Sequence, residues 1–117
     1  MGTLYLTRFK FDEDLQNFYN YANEEFFNYR LPYVRLGWYN FKKPDVLCYG
    51  ATFTAANAAF CEYIGIHPHF KEWTKTAHNI ILHEMIHVKF NNRGGHGPKF
   101  QKEKRRLILA GAFDPYL

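Results

Sequence analysis

A chain of 117 residues with 20% aromatic and 22% charged side chains is long enough for one domain with a real core, and too rich in apolar groups for a disordered tail. It has no apolar run of bilayer-crossing length and no signal-peptide hydrophobic region after Met1, so a soluble, cytoplasmic protein is expected. The net charge of +4 permits contact with nucleic acid, and two cysteines, Cys48 and Cys61, are too few for a disulfide framework and read as buried free thiols.

Residues 4–11 suggest a short extended entry. From Asp12 onward Leu15, Phe18, Tyr19, Ala22, Phe26 and Tyr29 recur at helical spacing and define one apolar face, with Gln16, Asn20, Asn23 and Glu24 largely off it. Asp12, Glu13 and Asp14 suit the positive end of that helix, and Pro32 is expected to close it. Three strands follow, at residues 34–40, 46–53 and 58–66. They are separated by a turn at 42–45 and a connection at 54–57, and Pro68 ends the third. Connections this short predict a three-stranded antiparallel meander. His67 and His69 flank Pro68 and are expected to face solvent.

The second helix starts near Thr74 or Thr76 as cap. Ala77, Ile80, Ile81, Leu82, Met85, Ile86, Val88 and Phe90 make it apolar nearly all round, the signature of a buried helix. His83, Glu84 and His87 interrupt that surface. Burying two imidazoles and a carboxylate without partners would cost several kcal/mol, and a bound metal answers that cost. Histidines four apart on a helix project from one face and can reach the same ion. Glu84 is placed beside the ion, where a carboxylate can accept a proton from water. Catalytic zinc usually takes three protein ligands. His96 is the expected third, because Asn91, Asn92, Gly94 and Gly95 form a helix stop and turn that can fold the chain back. His78 falls on another face. Hydrolytic activity would fall below about pH 6 as the ligands protonate.

Gly97 and Pro98 open a last helix, with Phe100, Leu107, Ile108 and Gly111 on its buried side. Lys99, Lys102, Arg105 and Arg106 lie outside that side and are candidates for DNA contact; a merely solvated basic face is the alternative. Lys102 and Arg106, four apart, repel on an isolated helix, and a phosphate backbone would relieve this.

With these residues in hand, the chain resembles the SprT-like family of zinc metallopeptidases, which includes the Spartan-type DNA–protein crosslink proteases. The resemblance is carried by His83, Glu84, Met85, Ile86 and His87 followed by His96, Gly97, Pro98, Lys99 and Phe100. Residues 23–27, 31–32, 34–38, 47–48 and 60–66 are similar to the family's first helix and its strands. Metzincins place their third His closer to the second, and gluzincins use a distant Glu. The resemblance implies a small α+β zincin-like domain over residues 1–117, with an N-terminal helix, a three-stranded antiparallel sheet, an active-site helix and a C-terminal helix. It implies Zn2+ on His83, His87 and His96, Glu84 as catalytic base, a protein or peptide substrate, and an edge strand at 58–66 that holds an extended peptide. Many relatives also carry a C-terminal zinc ribbon, and residues up to Leu117 include none. Tyr49, Tyr63 and Arg93 are candidates for stabilising the oxyanion, and Glu103 or a remote His would be the third ligand if replacing His96 left zinc binding unchanged. Two rivals are a non-catalytic nucleic-acid-binding domain stabilised by zinc and a zinc hydrolase acting on non-peptide amides.

Overall fold

The computed structural model describes residues 8–40, 50–53 and 61–113. In chain order these form β1 (Lys10–Phe11), α1 (Glu13–Phe27), β2 (Arg35–Trp38), β3 (Gly50–Phe53), β4 (Tyr63–Ile66), a 3-10 turn (Pro68–Phe70), α2 (Thr74–Lys89) and α3 (Pro98–Leu109). The α+β class is as expected, but the sheet differs. It is four-stranded and mixed, in the order β1-β2-β4-β3. β4 runs parallel to β2, with Leu36 opposite Ile64 and Trp38 opposite Ile66, and antiparallel to β3. Proximity in sequence predicts that β2 pairs with β3; instead β4 inserts between them. Ile64, Gly65 and Ile66 are all buried, as an inner strand covered on both faces requires. The 58–66 segment is therefore not an edge: its strand is internal, and β1 and β3 are the outer strands of the described sheet. Residues 41–49, 54–60 and 114–117, with Cys48, Tyr49 and parts of two predicted strands, lie outside the described residues.

Alternation sorts the sheet into two faces. Leu36, Ile64 and Ile66 point to the side covered by α1 and α2. On the other side Phe9 meets the Tyr63 ring edge-on at 5.3 Å, and the Arg35 guanidinium lies 5.5 Å from the Phe11 ring centroid. α1 is capped by Asp12, whose carboxylate accepts the Leu15 N–H at 2.9 Å. It ends earlier than Pro32 because Asn28 and Tyr29 take left-handed conformations, φ 52° and 61°. Tyr29, expected on the apolar face, is consequently exposed. The Asn23 amide fastens the turn by hydrogen bonds to both the N–H and the carbonyl of Leu31.

Gln16, expected off the apolar face, is buried. Its amide donates to the Val34 carbonyl and accepts the Leu36 N–H, joining α1 to β2. α2 crosses β3 and β4 and supplies Ile81, Leu82, Met85 and Ile86 to the core. Its first residue is Thr74, and Trp73 occupies the cap position without a side-chain hydrogen bond, so neither threonine acts as cap. α3 buries Phe100, Glu103 and Leu107; Gly111 lies beyond its end, exposed at φ 82°. Among the described residues, no helix is long and apolar enough to cross a membrane.

Candidate metal centre

His83 and His87 sit one turn apart on α2, their ring centroids 5.1 Å from each other. The helix stops just beyond them because Asn91 and Asn92 adopt φ 50° and 59°, and the Asn92 N–H returns to the His87 carbonyl at 2.8 Å. Gly94 and Gly95 continue the reversal at φ 82° and 54°, where a side chain would be strained. His96 thereby arrives over α2, its Nε2 lying 3.1 Å from that of His83 and 3.2 Å from that of His87. Beneath the cluster, buried Phe100 contacts all three rings, with centroid separations of 4.9, 4.9 and 4.7 Å to His83, His87 and His96.

Three imidazole nitrogens held at about 2.0–2.1 Å in a tetrahedral shell lie roughly 3.3 Å from one another. The nitrogens here match that spacing, and the three histidines are close enough to share a metal ion. With Nδ1 protonated, three Nε2 lone pairs facing one another repel, whereas a cation among them is coordinated by all three. Imidazole donors suit zinc, copper, iron and nickel rather than magnesium or calcium. Burial, then the electrostatic influence of His87, His96 and Lys104, push the His83 pKa down to about 4. Burial and His96 lower His87 as well. Both shifts favour the neutral ring that a metal requires.

Glu84 lies beside this cluster, 6% exposed. Its Oε2 is 4.0 Å from His83 Nε2, while Oε1 accepts a 2.8 Å hydrogen bond from the Thr52 hydroxyl on β3. Burial raises its pKa to about 7, against the opposing pull of the Thr52 hydrogen bonds. Thr52 had no signal in the sequence: it is 32 residues from Glu84, and only the β3–β4 register and the seat of α2 on β3 bring them together.

The remaining candidates stand elsewhere. His78 stacks on Phe18 at 3.8 Å, and His67 accepts the His69 N–H within its own turn. Tyr63 points to the opposite face of the sheet, against Phe9, which removes it from the oxyanion candidates; Arg93 is exposed in the turn between α2 and α3. Glu103 is no substitute ligand, because its buried carboxylate pairs with Lys89 and Arg106. Cys61 is buried against Asn91, and burial raises its thiol pKa, which makes it unreactive. Of the basic residues on α3, Lys99, Lys102, Arg105 and Arg106 are exposed. Arg106 is engaged within the fold: it pairs with Glu103 and donates to the Phe26 carbonyl at 2.8 Å. Its charge is thus offset by Glu103, and the repulsion expected from Lys102 has a partner already.

No protein-family model, curated protein or solved structure matches the chain.

Proposed function

We propose that this protein is a zinc-dependent metallopeptidase of the SprT-like kind, with His83, His87 and His96 holding the ion and Glu84 as the base. The observation that carries this reading is a buried carboxylate with one oxygen facing a cluster of three imidazoles whose nitrogens stand at ligand spacing. A metal that only stabilised a fold would need no base beside it.

Zinc, when bound, supplies Lewis acidity, polarising the scissile carbonyl and making water acidic near neutral pH. The chain's own residues do the rest. Glu84 accepts a proton from the attacking water and returns it to the leaving nitrogen, and a base whose pKa lies near neutrality is suited to both transfers. Phe100 and the walls of α2 keep bulk water from the inner side of the three rings. In this reading the substrate chain lies extended along β3, an outer strand of the described sheet that touches Glu84, in place of the 58–66 segment.

The test pairs elemental analysis with cleavage of DNA-associated basic proteins, with and without DNA. Purified protein should carry one zinc. Glu84→Gln should retain it and lose hydrolysis by about 10²–10⁴-fold, the usual worth of a general base. Protein without zinc, or a Glu84→Gln variant that cleaves normally, would overturn the proposal.

The exposed Lys99, Lys102 and Arg105 favour a second reading, a nucleic-acid-binding domain in which zinc is only structural. Salt-sensitive DNA binding, with zinc present and no cleavage of any protein or peptide offered, would select it.

A further inference from the structure

The hydroxyl of Thr52 and the carboxylate of Glu84 are joined across two elements, and the join is itself braced. β3 sets Thr52 opposite Ile64 on β4, on the sheet face toward α2. The backbone of Thr52 is held a second time, because the Asn92 side-chain amide donates to its carbonyl at 3.2 Å. Asn92 in turn hangs from the end of α2 through its N–H on the carbonyl of His87. Strand residue, base and metal-ligand segment therefore form one closed loop of contacts: Glu84 to Thr52, Thr52 to Asn92, Asn92 to His87.

Within that loop the Thr52 hydroxyl has two acceptors in reach, Oε1 of Glu84 at 2.8 Å and the Glu84 main-chain carbonyl at 3.2 Å, and the carboxylate oxygen is nearer. A carboxylate with one oxygen tied cannot rotate freely about its terminal bond. The oxygen left over, Oε2, is the one that faces His83 Nε2.

We infer that Thr52 is a positioning residue for the Glu84 base: its hydroxyl ties Oε1 so that Oε2 is presented to the three-histidine site. The inference rests on the proposed peptidase function for its catalytic consequence, but the contact itself does not. The Thr52 hydroxyl is engaged by Glu84 and acts through that carboxylate. The closeness of fit matters because supporting partners around metal sites typically change activity or affinity by about 10–100-fold when removed. Thr52 also stands on the strand along which the substrate is proposed to lie, so the strand that would bind the peptide backbone also carries the hydroxyl that aims the base.

The experiment compares Thr52→Val, which keeps the shape and removes the hydroxyl, with Thr52→Ser, which keeps the hydroxyl and removes the methyl group. For the zinc-loaded enzyme, Thr52→Val should lower kcat by about 10–100-fold with KM within about twofold and zinc content unchanged, while Thr52→Ser stays close to the wild type. An unchanged kcat in Thr52→Val, or an equal loss in both variants, would overturn the inference and leave a packing role. A second readout needs no activity. In protein labelled with 13C at the Glu carboxylates, held at pH 9 so that Glu84 is ionised, the Glu84 resonance (assigned by its loss in Glu84→Gln) should move in Thr52→Val and stay in place in Thr52→Ser. A resonance indifferent to Thr52→Val would overturn the inference. Should the wild-type protein hydrolyse nothing, the peptidase proposal fails, and the 13C comparison still decides whether Thr52 holds the carboxylate.

Discussion

His83 and Glu84 are neighbours in sequence, and burial moves their pKa values in opposite directions, each toward its neutral form. Burial pushes the His83 pKa down to about 4, which favours the neutral imidazole that a metal needs. Burial raises the Glu84 carboxyl pKa to about 7, so this group takes up its proton near neutrality. A base must be ionised, so activity is present above its pKa and lost as pH falls through it, and a bound cation draws that pKa below 7 by attraction. The acid limb of kcat/KM is therefore expected to follow Glu84, with zinc still bound at the pH where half the activity is gone. Zinc loss in step with activity would instead favour the expectation that protonation of the ligands sets the limb. For His96, replacement by Ala should weaken zinc binding by more than about 100-fold, since even outer-shell changes cost about 10–100-fold. Competition against a zinc-binding dye measures this, and unchanged affinity would remove His96 from the ligand set.

Among the elements, the helices are tied by one buried carboxylate. Glu103 on α3 pairs with Lys89 at the end of α2 and with Arg106, whose guanidinium reaches the Phe26 carbonyl at the end of α1. Burial on its own would raise the Glu103 pKa, but the hydrogen bonds and charges of Lys89 and Arg106 outweigh it and hold the pKa below the ordinary value. A carboxylate lowered on folding contributes stability that is complete above its unfolded pKa and is lost as pH falls through the folded one. Glu103→Gln should cost about 1–3 kcal/mol in urea unfolding at pH 7, the range for hydrogen bonds to charged groups, and the difference from wild type should shrink in acid. On the sheet, a Cβ at Gly37 would collide with the Lys10 carbonyl oxygen, a backbone atom that cannot step aside. Gly37→Ala should therefore prise β1 from β2 at a cost of about 1–3 kcal/mol, as overpacking does. At Gly50 the obstacle is Cγ2 of Ile80, 2.6 Å from a built Cβ, a branch methyl whose rotation is restricted on a helix, so a side chain is opposed there too.

For the molecule as a whole, the proposed ion is a ligand of the folded state. A chelator should then lower the thermal midpoint, because an ion free at about 100 times its dissociation constant stabilises the fold by about 2.7 kcal/mol. An identical melt with and without chelator would argue that no metal is held. The net charge of +4 is concentrated late in the chain, and the exposed Lys99, Lys102 and Arg105 share α3. If this face meets a phosphate backbone, reversing all three charges should weaken DNA binding for every sequence alike. It should also flatten the dependence of log K on log salt by roughly 0.9 per lost contact. Arg106, exposed on the same helix, is left out of this test because its replacement would also break its pairing with Glu103.

The sequence by itself determined the pieces whose information is local. Helical spacing puts His83 and His87 on one face, Asn91, Asn92, Gly94 and Gly95 make the reversal, and His96 follows within reach. The α+β class, an acidic start to α1 among Asp12, Glu13 and Asp14, and the burial of α2 were readable for the same reason: each depends on a few neighbouring residues. Only the tertiary structure decided the strand order, because pairing β2 with β4 across an intervening β3 depends on which strand can be buried on both faces. It decided the end of α1 at Asn28, the burial of Gln16 and the engagement of Arg106, each of which turns on a partner distant in the chain. The same holds for Thr52. A hydroxyl 32 residues from the carboxylate it meets leaves no spacing to read, and only the folded sheet under α2 places it at 2.8 Å.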